Sequence, residues 1–269
     1  MKVLRRLYKD HNPRRSLEIM LMCSRIIPRS FKVSETLELF LRVDEKIRAE
    51  GFTEAFVGAA NDFGFETEII GAENIPDEKG TLYPSNHPYG MPEGAIAYGE
   101  FSRLVEKKGR KVIVVGDKIL KLVPGIEARM IAVDPYGRNS LSSSRKIIST
   151  LKEDDVFLCP AAEISGENLR EFPWRQSLGR IVKYAKNVVP VYFHGPDHKG
   201  HYNFFARHKL TRQIRLTYLM KEAWNKRGEK ITMVIGEPIP RETLDSLGDN
   251  GKITAYIKGK CEELRYRAE

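Results

Sequence analysis

The stretch Ser85-Asn86-His87-Pro88-Tyr89-Gly90-Met91-Pro92-Glu93-Gly94 decides how the chain is read. An apolar strand runs into Ser85, and a loop carrying Pro88 and Gly90 follows it. Pro92 suits the first turn of a helix, where its fixed φ is preorganised and its missing N–H costs nothing. His87 then stands at a strand end, and Glu93 stands in the first helical turn six positions later. A loop of that length lets the carboxylate fold back onto the imidazole. A carboxylate that fixes the tautomer of an imidazole and stabilises its imidazolium is what a general base needs. The same spacing also accommodates a histidine that closes a turn, with Glu93 complementing the helix dipole.

Outward from this unit, short apolar runs alternate with helical stretches. Strands are expected at 65–70, 81–85, 111–116, 129–133, 155–159, 188–193 and 231–235. Helices are expected at 92–107, 140–152, 174–186, 211–227 and 250–266. This alternation predicts an α/β fold, a largely parallel central sheet flanked by helices and preceded by an N-terminal helical segment. In that segment Leu17, Met20, Leu21, Ser24 and Ile27 share one helical stripe that Pro28 stops. Ser34 is expected to cap a second helix with Leu37, Phe40, Leu41 and Ile47 apolar, ending at Gly51. The chain divides into helical residues 1–62 and an α/β unit at 63–269.

The 269 residues are 41% apolar and 30% charged, which excludes a disordered or fibrous chain. The longest apolar runs, at 19–23 and 112–115, are far below the roughly 20 residues of a membrane-spanning helix. Cys23, Cys159 and Cys261 are scattered, without a C-x-x-C pair, a pattern that suits a reducing cytoplasm. The net charge of +9 is concentrated in two blocks. Residues 1–32 hold nine Lys/Arg against two acids, and residues 178–230 hold twelve against three. Such blocks fit a polyanionic partner: a phospholipid surface, a phosphorylated substrate or nucleic acid.

Beyond His87 and Glu93, three further segments fall in a recognisable order. They are Arg129-Met130-Ile131-Ala132-Val133-Asp134-Pro135-Tyr136-Gly137-Arg138, then Phe157-Leu158-Cys159-Pro160-Ala161-Ala162-Glu163-Ile164-Ser165, then Val189-Pro190-Val191. Together with Asn86-His87 and Glu93, this series resembles the four blocks of the PlsC-type glycerolipid (lysophospholipid) acyltransferase family over roughly 80–240. Five residues separate His87 from its acid where the family commonly has four, and the acid is Glu rather than Asp. Glu163 stands three positions after Pro160. Both features resemble a bacterial branch carrying a hemolysin label, itself similar to ornithine-lipid and glycine-lipid O-acyltransferases.

The resemblance implies a glycerolipid acyltransferase-like fold and a role in lipid metabolism. It implies transfer of a fatty acyl group from acyl-CoA or acyl-carrier protein to a hydroxyl of a lysolipid or aminolipid. His87 and Glu93 would be catalytic, acting without an acyl-enzyme or a bound cofactor. Asn86, Arg129, Arg138 and Glu163 would bind substrate, the arginines through the planar fork that suits phosphate or carboxylate. The implied partners are the lipid acceptor, the acyl donor and an anionic membrane, with the enzyme peripheral on the inner face of the cell membrane.

His194, His198, His201 and His208 are too loosely spaced, in a Gly- and Pro-containing loop, to read as a metal site, and none is expected. Lys118 is a further substrate-binding candidate, and Trp174 and Trp224 read as packing residues. Arginines flanking the first helix give it the cationic, amphipathic character of an interfacial helix, and the same apolar stripe equally suits a helix packed on the domain. Two other classes remain distinct from the enzyme. One is an inactive lipid-binding relative. The other is a nucleic-acid-binding module using 178–230, which lacks the aromatic interleaving of single-strand binders, so no nucleic-acid partner is expected.

Overall fold

The computed structural model describes residues 18, 20, 22–24, 26–123, 125–133, 141–161, 163–165, 171–199 and 212–267. Strands β2 (Thr81–Pro84), β3 (Val112–Asp117), β4 (Met130–Val133), β5 (Asp155–Leu158) and β6 (Asn187–Val188) form a parallel sheet in the order β4-β3-β5-β2-β6. The central strands β2 and β5 are buried at every residue, as expected of a parallel sheet covered on both faces. Their side chains alternate between two cores. Tyr83 and Phe157 point to one, with Leu39, Phe56 and Phe101. Leu82, Val156 and Leu158 point to the other, with Ile147, Leu178, Ile181 and Ile257.

The first core is closed by α1 (Val33–Glu50), α2 (Phe52–Phe63) and the helix α3 (residues 91–106). The second is closed by α4 (Leu141–Thr150), α5 (Ser177–Val182) and α8 (Asn250–Glu263). Two elements complete the chain, α6 (Arg212–Trp224) and α7 (Arg241–Ser246). Helix α3 is not uniform. It begins as α-helix at Met91–Ile96, widens into a π turn at Ala97–Phe101 and returns to α-helix at Ser102–Glu106. Gly99 in the π turn packs so closely on α2 that a Cβ there would lie 2.8 Å from the Val57 nitrogen.

The sheet differs from the single one anticipated. The expected strand at 188–193 breaks at Pro190 into β6 and β7 (Val191–His194). β7 leaves the five-stranded sheet and joins a second one, ordered β1-β8-β7, with β1 (Glu66–Ile70) parallel and β7 antiparallel to β8 (Lys230–Ile235). Proline cannot donate to a ladder, so the break falls there. A parallel bridge between Ser85 and Val191 keeps the two sheets in register at this seam.

Two helical readings also change. Helix α1 begins at Val33 after Lys32, whose φ is 58°, so Ser34 is not the cap; its hydroxyl bonds that of Ser24 at 2.8 Å. Residues 52–63, for which no separate helix is specified within the helical segment 1–62, form α2 between Gly51 (φ 95°) and Gly64 (φ 80°). Trp174 is buried as anticipated, and the partly buried Trp224 donates its indole N–H to Thr36 at 3.0 Å.

At the entry end of the parallel strands, fully buried Asp155 accepts the N–H groups of Gly80 and Thr81, each at 3.0 Å. It also pairs with buried Arg110 at 3.1 Å, whose guanidinium caps the carbonyls of Pro76 and Glu78. Burial raises the Asp155 carboxyl above its usual value; the two N–H bonds and Arg110 oppose that. Removing one member of a buried pair strands the other, so Asp155→Ala should lower unfolding free energy by about 3 kcal/mol in urea titration. Because the clamp lies at the strand ends remote from His87, soluble Asp155→Ala protein should keep most of its activity.

Candidate active site

The C-terminal end of β2 delivers His87. The intervening Asn86 is buried, and its carboxamide is engaged at both ends by one residue of β7. Its Nδ2 donates to the Phe193 carbonyl at 2.9 Å, and its Oδ1 accepts the Phe193 N–H at 2.7 Å. Asn86 thus extends the seam begun by the Ser85–Val191 bridge, and its polar atoms are committed to backbone.

Beyond Pro88, Gly90 adopts φ 76° and turns the chain into α3, with Pro92 in the first turn. This turn brings Glu93 back over the strand end. Its Oε1 bonds His87 Nδ1, and its Oε2 accepts the Tyr89 N–H at 2.9 Å. The carboxylate side chain is 2% exposed and the imidazole 26%. The carboxylate is sealed while the imidazole is partly open, and Nδ1 is the nitrogen held by Glu93.

The neighbouring β5 loop secures His87 from its other side. The Ser165 N–H donates to the His87 carbonyl at 2.7 Å, and the His87 N–H donates to Glu171 Oε1 at 3.1 Å. The Cys159 thiol donates to the Asn86 carbonyl at 3.5 Å and lies 4.0 Å from Glu93 Oε1. Its pKa is driven well up by burial and by the negative charges of Glu93 and Glu171. Donor atoms of His87, Glu93 and Cys159 lie within 4.8 Å of one another. A metal would need the thiolate, which this environment disfavours, and would displace the Glu93–His87 bond. The cluster fits an acid–base pair beside a neutral thiol better than a metal centre.

Other residues singled out in the sequence are distributed unevenly. Glu163 lies on the loop that reaches Ser165 and His87, so it is near the pair along the chain. Arg129 is not brought there. The next residue, Met130, shares a rung with Val114, Phe157 and Tyr83, and β3 and β5 separate β4 from β2. Arg129 instead bonds Glu106 at 2.6 Å and lies 5.5 Å from the Phe52 ring centroid. Arg138 lies outside the described residues. Lys118 is exposed after β3. Among the described histidines, His194 ends β7 and His198 is buried.

Sequence reading missed Glu171 and Cys159 as neighbours of His87. Cys159 ends the strand expected at 155–159, but its place beside His87 depends on the strand order, which the sequence does not state. Glu171 had no signal, because its contact depends on how a long loop returns.

A partly exposed imidazole held by a buried carboxylate, at the head of a parallel strand, is an arrangement suited to acid–base chemistry in an α/β fold. Residues 22–266 match the acyltransferase family, and the chain belongs to it. Two similar proteins are named lyso-glycine lipid O-acyltransferase. The one from Bacteroides thetaiotaomicron is 24% identical over 201 residues, covering 72% of this chain and 73% of that one. The one from Phocaeicola vulgatus is 25% identical over 207 residues, covering 74% and 73%. The crystal structure of the 1-acyl-sn-glycerophosphate acyltransferase PlsC from Thermotoga maritima aligns over 98% of this chain and 88% of its own, at 16% identity and a TM-score of 0.49.

Burial pushes the Glu171 carboxyl up to about 7, against the attraction of Lys258 and His87. The folded protein therefore holds a proton there that the unfolded chain has released above its ordinary value of 4.5. Stability from this group is full at low pH and is lost as pH rises through about 7. Glu171→Gln removes that loss. Relative to the parent, its unfolding free energy should gain roughly 2 kcal/mol between pH 5 and pH 8, measured by urea titration at both.

Proposed function

We propose that the enzyme moves a fatty acyl group from the thioester of acyl-CoA or acyl-carrier protein to a hydroxyl of a lysolipid or aminolipid, with His87 as general base. The contact between His87 Nδ1 and buried Glu93, with the imidazole 26% exposed, carries this reading. The two relatives named lyso-glycine lipid O-acyltransferase support an acylated aminolipid as acceptor.

In this mechanism Nε2 takes the proton of the acceptor hydroxyl as its oxygen attacks the thioester carbonyl. Glu93 stabilises the imidazolium so formed. The tetrahedral intermediate collapses with cleavage of the C–S bond, and the imidazolium returns the proton to the departing thiolate. The acceptor itself is the nucleophile, so no acyl-enzyme forms and two-substrate kinetics are sequential. Cys159 is not required as a nucleophile, and its raised pKa agrees with that.

A lipid acceptor favours work at a membrane surface. Among the described residues no helix is long and apolar enough to cross a bilayer. Met22 and Ile26, one helical turn apart in sequence, are 69% and 90% exposed. In our reading these side chains enter the interface beside the basic N-terminal block, and the protein sits peripherally on the inner face of the membrane.

Purified protein incubated with labelled acyl-CoA or acyl-carrier protein should acylate at least one member of a panel of lyso-glycine lipid, lyso-ornithine lipid and lysophosphatidic acid. His87→Ala should lower kcat on the order of a thousandfold while leaving the unfolding midpoint near that of the parent. A folded His87→Ala enzyme that retains most activity would overturn the mechanism. Met22→Glu/Ile26→Glu should reduce sedimentation with anionic vesicles at low salt; unchanged sedimentation removes the N-terminal segment as the membrane contact.

A further inference from the structure

Behind the site lies a buried polar cluster that the proposed chemistry does not use. His198, Glu222 and Lys226 are all almost wholly enclosed, Lys226 at 2% exposure. Three ionisable side chains inside a small fold are costly to desolvate, so their arrangement calls for a reason.

Their contacts converge on one peptide unit. His198 Nε2 lies 2.7 Å from the Pro88 carbonyl oxygen. A carbonyl only accepts, so Nε2 carries the hydrogen and donates it. The Pro88 carbonyl and the Tyr89 N–H are the two ends of a single planar peptide. That N–H is the one donated to Glu93 Oε2 at 2.9 Å, while Glu93 Oε1 holds His87. A donor fixed on the carbonyl end both aligns the plane and polarises the N–H at its other end.

The imidazole is in turn held in place. Its Nδ1 faces Glu222 Oε2 at 3.8 Å, and Glu222 also accepts the Lys199 N–H and the Asn225 amide, both at 3.0 Å. The His198 N–H bonds Asp197 Oδ1 at 2.7 Å. Lys226 Nζ donates to the carbonyls of Pro196 and Asp197, at 2.9 and 2.8 Å, and lies 5.0 Å from the Tyr89 ring centroid. The Tyr89 ring meets His198 edge-on at 5.9 Å. Burial would raise the Glu222 carboxyl, yet the facing His198 imidazole and the bonds from Lys199 and Asn225 bring it below its usual value, whereas burial lowers Lys226.

We propose that His198 is a positioning residue: through the Pro88–Tyr89 peptide it aims the Glu93 carboxylate at His87, with Glu222 and Lys226 locking it from behind. The proposal rests on the general-base reading of His87, and it predicts that His198 acts only through Glu93.

The test is a double-mutant cycle in the labelled acyl-transfer assay, with kcat and KM determined for parent, His198→Ala, Glu93→Ala and the double variant. His198→Ala should lower kcat about tenfold or more with little change in either KM, and should have almost no further effect in the Glu93→Ala background. His198→Gln, which can return an N–H donor to the Pro88 carbonyl, should recover most of the loss. The ¹⁵N titration of the His87 imidazole should shift to lower pH in His198→Ala, because a less well aimed carboxylate stabilises the imidazolium less, and should stay near the parent in His198→Gln. Equal losses from His198→Ala in both backgrounds, or an unmoved His87 titration in the folded variant, would overturn the proposal. Activity persisting in His87→Ala would instead overturn the general-base reading itself, so the two failures are separable.

Discussion

The architecture turns on one side-chain amide. Asn86 presents a donor and an acceptor to the Phe193 backbone, as a neighbouring strand would. It does so where Pro190 has forced the chain out of the five-stranded sheet and where β2 must stop pairing so that His87 can face outward. Without that clasp the N–H and C=O of Phe193 would lie unpaired in the core at the junction of two sheets. Because the amide belongs to the residue directly before His87, the joint between the sheets and the location of the imidazole are one constraint.

From there the site assembles by short steps. A positive φ at Gly90 and a proline in the first turn of α3 return the chain across the strand end. The loop after β5, adjacent to β2 in the sheet, grips both the N–H and the carbonyl of His87. An imidazole whose backbone is held by the neighbouring strand-end loop has little freedom to wander, and the Glu93 carboxylate is enclosed where solvent does not weaken the pairing. For the general-base reading proposed above, such an arrangement is preorganised: its polar groups are fixed in place before any charge develops.

The pairing of His87 with Glu93 was legible because it is local. Six residues, one glycine, two prolines and a strand-to-helix change determine it. The strand and helix alternation was legible for the same reason, since period and punctuation are properties of short windows. What escaped was nonlocal, or was a contest between local signals. Pro190 interrupts an apolar run that otherwise reads as one strand. Ser34 looks like a cap, but the left-handed backbone at Lys32 starts the helix earlier. Residues 52–63 do carry a helical stripe, Phe52, Ala55, Phe56, Ala59, Ala60 and Phe63, but half of it is alanine, a weak apolar signal in a short window. Arg129 sits in a block that resembles a substrate-binding motif, yet the register of β4 commits it to Glu106 and Phe52. Glu171 carries no mark in the linear text and His198 reads only as one of four loosely spaced histidines, because their partners lie 84 and 110 residues away.

The π turn in α3 gives that helix two independent angular phases. Its first turn must aim Glu93 at the strand end, while Gly99, six residues on, must let the α2 backbone approach closely. A regular helix would tie these two orientations together at 100° per residue, and the widened turn releases them by one extra residue. The half of α3 that meets α2 can thus repack or tilt without rotating the carboxylate, so the acid inherits its aim from the loop before it and not from the long helix that bears it.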